Sequence, residues 1–115
     1  MFLIVAKYLI PKGYRGLAVF PFVFVKYRCD IENKVFVNHE KIHLRQQLEL
    51  LILPFFIWYF IEYFFRLIQY KKADLAYRNI SFEREAYANE KDFGYLKSRP
   101  FFNFFKFLDK KHIIF

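Results

Sequence analysis

Three polar residues on one predicted helix could bind a metal ion and use it. His39 and His43 are four residues apart, and Glu40 directly follows the first, in the pattern H-E-x-x-H. Four residues are about one turn of an α-helix, so both imidazoles face the same side and can bind one ion. Glu40 lies beside them, where its carboxylate can take a proton from a water molecule on the metal. The motif predicts a zinc site with His39 and His43 as ligands and Glu40 as the catalytic base.

A catalytic zinc site of this kind needs a third protein ligand. Glu49 follows on the same helix, but an unbroken helix places it about 15 Å along the axis from His39 and roughly 80° around it. It cannot reach the same ion. A second helix, predicted over 81–93, offers Glu83 and Glu85. Positions two apart differ by roughly 200° on a helix, so only one of these two carboxylates can face the metal.

The segment 83–87, with the sequence EREAY, gives the chain a resemblance to a known family. Together with H-E-x-x-H it resembles the gluzincins, zinc metallopeptidases whose third ligand is a glutamate on a following helix, and in size the short minigluzincins. The resemblance implies Glu83 as the third ligand, with Glu85 as the alternative if the segment is aligned two residues further on. Tyr87 stands where the family pattern has an acid or an amide. Tyr87 and Asn89 are therefore the residues expected to support the site.

The same resemblance implies an activity. Peptide bonds would be hydrolysed by zinc-bound water, with Glu40 accepting the proton and Tyr77 among the candidates for an oxyanion or proton donor. A strand near 19–25 would lie above the cleft and could pair with an extended peptide or protein substrate. The alternative is a catalytically silent zinc-binding membrane protein with a binding or regulatory role.

The composition indicates more apolar surface than a small core can bury. The chain has 115 residues, of which 57% are hydrophobic and 24% aromatic, including 18 Phe against three Gly. This length predicts a single domain over 1–115. Much of the aromatic surface is therefore expected to face lipid or a partner chain, and an oligomer is one way to cover it.

The charge of the chain suits an anionic surface. Its net charge is +8, which matches lipid headgroups as well as nucleic acid. The basic residues flank long apolar runs, which favours lipid, and we do not expect nucleic acid as a partner. Cys29 is the single cysteine, so an intramolecular disulfide is excluded.

A long apolar run follows the H-E-x-x-H segment. The helix is expected to begin between Val35 and Asn38, with Asn38 as a possible cap, and to continue through 48–68 with a kink at Pro54. The run is apolar around its circumference, which predicts burial on all sides, as in a membrane-embedded helix that spans or dips into the bilayer. We expect a bacterial cytoplasmic membrane, with the zinc site near its surface.

Two further elements complete the expected fold. Residues 17–27 are rich in Val and Phe and predict a strand, or two halves around Pro21. Residues 99–111 predict a C-terminal amphipathic helix at the membrane interface. The expected class is α+β and mostly helical, with short N-terminal strands and two site helices.

Overall fold

The N-terminal part of the chain forms a small sheet. The structure, a computed structural model, describes residues 1–114, and only the backbone of Lys110. The strands are β1 (Phe2–Val5), β2 (Gly16–Val19) and β3 (Phe22–Val25). Their order is β1-β3-β2, with β1 parallel and β2 antiparallel to β3. The Val- and Phe-rich segment is thus two strands of a hairpin that turns at Pro21, and β2 is an edge strand.

A glutamine of the following helix holds this edge strand in place. The Gln47 amide donates to the carbonyl of Ala18 at 2.6 Å and accepts from the backbone N–H of Phe20 at 2.7 Å. These are the two bonds that a neighbouring strand would make. Gln47 is 1% exposed, so the sheet is anchored by a buried contact.

The helix that carries the H-E-x-x-H segment is α1 (Lys34–Leu50). Asn33 caps it, because its side-chain oxygen accepts from the N–H of Phe36 at 3.1 Å. The expectation of a cap at Asn38 is wrong. Asn38 is buried within the helix, and its amide donates to the carbonyl of Glu90 at 2.8 Å.

The apolar run forms a separate helix, α2 (Ile52–Tyr70). The expected continuous helix is interrupted at Leu51, which has a φ of 64°. Pro54 falls in the first turn of α2, where its missing N–H breaks no hydrogen bond of the helix. The break between the two helices therefore lies at Leu51, and Pro54 starts a helix where it was expected to kink one.

Only one side of α2 is buried. Its inner side packs in an aromatic cluster that contains Phe55, Ile80, Phe82 and Phe104. The helix is long and apolar enough to cross a membrane, yet only 17% of its most apolar 18-residue window is buried. The chain itself therefore leaves most of this apolar run uncovered.

Short helices complete the fold. They are α3 (Ala73–Arg78), α4 (Ser81–Asn89) and α5 (Tyr95–Ser98), followed by 3-10 turns at Asn103–Leu108 and Lys110–His112. The α+β, mostly helical class is confirmed. The single C-terminal helix expected over 99–111 is wrong in detail, because Phe102 adopts a left-handed conformation with a φ of 56° and the chain continues in 3-10 turns.

Candidate metal centre

Two helices bring three ligand-type atoms together. α1 supplies His39 and His43, and α4 supplies Glu83. The two Nε2 atoms are 3.2 Å apart, and each lies 3.1 Å from the Glu83 Oε1. Ligand atoms of a tetrahedral zinc ion are separated by roughly 3.3 Å, given zinc–ligand bonds of about 2.0–2.1 Å. The three residues are buried, and they form a group that could hold a metal ion.

The N-terminus of α4 is positioned by a carboxylate of α2. Glu62 accepts hydrogen bonds from the backbone N–H and the Oγ of Ser81, both at 2.6 Å. A negative charge at the start of a helix satisfies its free N–H groups and favours its dipole. Ser81 is the first helical residue, and the Glu62 carboxylate provides the cap. Glu83 follows two residues later and faces α1.

A glutamine fixes the orientation of His43. The Nδ1 of His43 lies 2.8 Å from the Oε1 of Gln46. The Nε2 of the same amide donates to the Phe82 carbonyl at 3.1 Å and to the Glu85 carboxylate at 3.0 Å. Because both of these partners only accept, the amide must present its oxygen to His43. His43 then carries its proton on Nδ1, and its Nε2 lone pair faces the other two ligands.

The carboxylate of Glu90 fixes the orientation of His39. The Nδ1 of His39 lies 3.1 Å from the Oε1 of Glu90. An ionised carboxylate accepts but does not donate, so this contact places a proton on Nδ1 and leaves Nε2 for the metal. The second oxygen of Glu83 accepts from the hydroxyl of Tyr59 at 2.8 Å. Each of the three residues that could hold a metal ion is therefore held by a further residue, which is typical of protein metal sites.

The charges of this group are strongly coupled. Burial by itself lowers the pKa of His39, but hydrogen bonds to Glu83 and Glu90 outweigh it and raise the pKa to about 10. Burial also lowers the pKa of His43, and the charge of Glu83 reverses that effect. For Glu83, burial raises the pKa, whereas the positive charge of the histidines lowers it to well below its ordinary value. Without a metal ion, the Glu83 carboxylate therefore favours the protonated forms of the two imidazoles, and these in turn favour its ionised form.

Glu40 lies where two cavities meet beside this group. One cavity of about 420 Å³ is mainly apolar and also reaches His43 and Glu83. The other, of about 190 Å³, is more polar and reaches His39 and Glu90. Glu40 lines both. Burial raises the pKa of its carboxyl, although the two histidines oppose this shift. A carboxylate at this position can accept a proton from a molecule in the cleft.

Two tyrosines face the same cleft. Tyr77 lines both cavities, and Tyr87 lines the polar one. Burial raises the pKa of Tyr77 well above its ordinary value, and burial with the nearby Glu83 charge raises that of Tyr87 to about 12. Both hydroxyls therefore remain protonated at neutral pH and can donate hydrogen bonds. The Tyr87 ring also packs edge-on against His39, with 4.6 Å between ring centroids.

Glu85, the alternative third ligand predicted from the sequence, lies outside the group of His39, His43 and Glu83. Glu85 is completely buried and accepts from both Arg99 and the Tyr95 hydroxyl, the latter at 2.6 Å. It reaches the metal group only indirectly, through Gln46. The amide of Asn89 donates to the carbonyl of Glu85 on its own helix, at 3.0 Å. Asn89 therefore does not support the histidines as expected, and the neighbouring Glu90 takes that place.

Three residues of the site have no role in the sequence-based prediction. They are Gln46, Tyr59 and Glu90. Gln46 is three positions after His43 and Glu90 is seven after Glu83, spacings that place each on the same helix face as its ligand. Tyr59 belongs to α2, so only the packing of α2 on α4 reveals its contact with Glu83.

No model of a known protein family, no curated protein and no solved structure matches the chain. The similarity to the gluzincins therefore rests on the H-E-x-x-H segment and on the EREAY segment that carries Glu83.

Proposed function

We propose that the protein is a zinc-dependent metallopeptidase that hydrolyses peptide bonds at a membrane surface. The observation that carries this proposal is the cluster of His39, His43 and Glu83, whose ligand atoms are 3.1 to 3.2 Å apart. Both histidines present Nε2, and one carboxylate oxygen completes the set. Two imidazoles and a carboxylate are a donor set that zinc uses in hydrolytic enzymes.

The donor set fits zinc, and the remaining residues fit hydrolysis. His39, His43 and Glu83 would hold the ion, which acts as a Lewis acid on a carbonyl group and makes a water molecule more acidic. Glu40 would accept the proton of that water, since its carboxylate faces the cleft and its pKa is raised by burial. The Tyr77 hydroxyl would donate to the carbonyl oxygen of the substrate as negative charge develops there.

The edge strand β2 offers a place for the substrate backbone. The N–H of Lys26 donates to the carbonyl of Arg15 at 2.9 Å, so Arg15 points its backbone groups toward β3. In an antiparallel pair these directions alternate, so Gly16 and Ala18 point theirs toward the free edge. The Gln47 amide already donates to the Ala18 carbonyl, so that carbonyl is not free to pair with a substrate. Gly16 lines both cavities, and an extended peptide would pair with its backbone groups.

The membrane part of the proposal rests on α2. Its outer side exposes large apolar residues, among them Leu53, Ile61 and Ile68 at 70%, 65% and 77%. A continuous apolar surface of this kind is unusual for a protein surrounded by water and indicates a lipid or protein contact. The metal group is close to it, because Tyr59 of α2 hydrogen-bonds to Glu83.

The proposal is tested by measuring zinc content and peptide hydrolysis together. We expect about one zinc per chain in the wild type, loss of the metal in Glu83→Gln, and retention in the matched variant Glu85→Gln. Glu40→Gln should keep zinc and lose hydrolysis of a broad peptide library by about 10²-fold or more.

The outcomes separate the two candidate functions. Zinc that is retained in both wild type and Glu40→Gln, with no hydrolysis by either, would leave a zinc-binding protein with a binding or regulatory role. Zinc retention in Glu83→Gln and loss in Glu85→Gln would contradict the assignment of the third ligand.

A further inference from the structure

We infer that α2 lies flat in one leaflet of a membrane, without crossing it, and that the apolar cavity of the site opens onto that leaflet. The inference deepens the membrane part of the proposed function and rests on it.

A polar stripe runs along the inner side of α2. Tyr59, Glu62, Arg66 and Tyr70 are three or four residues apart, so they share one helix face over roughly 16 Å. Each makes a hydrogen bond to the rest of the chain. The partners are Glu83 at 2.8 Å, Ser81 at 2.6 Å, the carbonyl of Leu108 at 3.4 Å and Arg84 at 3.0 Å. The domain therefore covers this side of α2 from Tyr59 to its last residue.

The packing of the domain along one side of α2 is incompatible with an α2 that crosses a bilayer as a single helix. If α2 stood perpendicular to the membrane, α4 and the metal group would lie beside its middle, within a hydrocarbon core about 30 Å thick. The polar cavity, which is lined by Arg15 and Glu90, shares Glu40 with the apolar cavity beside the metal group and would be carried toward the core with it. Each charged group there costs several kcal/mol. A helix with one polar and one apolar side avoids this cost by lying parallel to the surface.

The outer side of α2 has the composition of such a surface helix. Its large apolar residues recur every three or four positions, and each is more than half exposed: Leu53, Ile57, Ile61, Phe64, Phe65 and Ile68. Trp58 contacts the ring of Phe105, with 5.6 Å between centroids, and continues the surface onto the C-terminal segment.

Basic residues border this surface and favour lipid over a second copy of the chain. Lys71 and Lys72 follow α2, and Lys106 lies next to Phe105; all three are exposed. Lysines around an apolar face are attracted to anionic headgroups. Two copies joined through the same face would instead bring these lysines together, in a chain whose net charge is +8. The complementary partner is an anionic leaflet.

The apolar cavity of the site opens toward the outer side of α2. Phe60 and Phe64 are 56% and 61% exposed, and both also line the apolar cavity of about 420 Å³. His43 and Glu83 lie at the inner wall of this cavity. A polypeptide could therefore enter from the leaflet with apolar side chains in the cavity. The substrate class is the apolar segment of a membrane-inserted polypeptide, next to the headgroups.

Labelling with a membrane-impermeant maleimide tests the orientation of α2. The exposed native Cys29 reports on the side that precedes α2. Lys72→Cys in a Cys29→Ser background reports on the side that follows it, and Ile61→Cys in that background reports on the outer face. The reagent is applied to intact spheroplasts that express the full chain, and again after lysis. We expect Cys29 and Lys72→Cys to react under the same condition, both before lysis or both only after it, and Ile61→Cys to be protected at least tenfold until detergent is added.

Two results would overturn the inference. Reaction of one end before lysis and of the other only after it would show that α2 crosses the membrane, which leaves the membrane part of the proposed function intact. Recovery of the chain in the soluble fraction, with Ile61→Cys reactive, would remove the membrane part as well. Neither result depends on zinc or on hydrolysis, so the peptidase proposal is judged separately.

Discussion

Gln46 accepts a hydrogen bond from the Nδ1 of His43 at 2.8 Å, and its own amide nitrogen is held by two acceptors on α4. This relationship determines which nitrogen of His43 is free to bind a metal. It also ties α1 to α4 next to the group of three ligands, so the orientation of the imidazole depends on the packing of the two helices.

The first prediction concerns this amide. Gln46→Leu removes the acceptor that fixes the tautomer of His43, and we expect zinc affinity to fall by about 10- to 100-fold. The measurement is a competition titration of the folded protein against a chelating dye. Gln47→Leu is the matched control, because Gln47 is buried in the same helix but anchors the edge strand through Ala18. It should lower the stability of the fold and leave the zinc affinity unchanged. An equal loss of zinc affinity in both variants would contradict the assignment.

The second prediction concerns the stability of the metal-free protein at different pH values. The pKa of His39 is raised from 6.5 to about 10. Its protonated form therefore stabilises the fold fully below pH 6.5, and this contribution is lost as the pH rises toward 10. The pKa of Glu83 is lowered from 4.5, so its contribution is present above pH 4.5 and is lost as the pH falls below that value.

We therefore expect the metal-free protein to be more stable to urea at about pH 6 than at about pH 9. The measurement is chemical denaturation in the presence of a chelator. His39→Gln serves as the control, since it lacks the group that titrates and should show a smaller decrease over the same range. A wild-type stability that is constant or increasing between these two pH values would exclude the proposed ion pair.

The third prediction concerns a buried ion-pair cluster behind the site. Arg99 pairs with Glu85 and with Glu49, and the side chains of all three are at most 2% exposed. Arg99→Gln would leave two buried carboxylates without their cation, and we expect the free energy of unfolding to fall by about 3–5 kcal/mol.

Urea denaturation measures this effect, with Arg15→Gln as the control. Arg15 pairs with Asp30 at 2.6 Å, but its side chain is 52% exposed. Loss of such a pair should cost about 0–1 kcal/mol, because water screens it. Similar losses in the two variants would argue against a buried cluster at Arg99.

Local spacing predicted part of the site. His39 and His43 share a face of α1 because residues four apart always do so in an α-helix. The same helix geometry excluded Glu49 as the third ligand. It also showed that only one of Glu83 and Glu85 can face the histidines, because positions two apart lie on different sides of α4. The class of the fold was also predictable, because hydrophobic periodicity and the Val- and Phe-rich segment are local patterns.

Packing decided the rest. Glu83 faces the histidines because α4 is fixed to α2 by Glu62 and because Arg99 holds Glu85 on the opposite side. The break at Leu51 and the 3-10 turns at the C-terminus have no distinct local signal in the sequence. α2 reads as apolar on all sides, yet its tyrosines, Glu62 and Arg66 make one face polar by contacting the domain. Sequence by itself therefore determined the histidine pair and the class of the fold, which follow from the geometry of single elements. Tertiary structure decided which glutamate faces the two histidines, which residues contact this group and which face of α2 is exposed, because each depends on how two elements lie against each other.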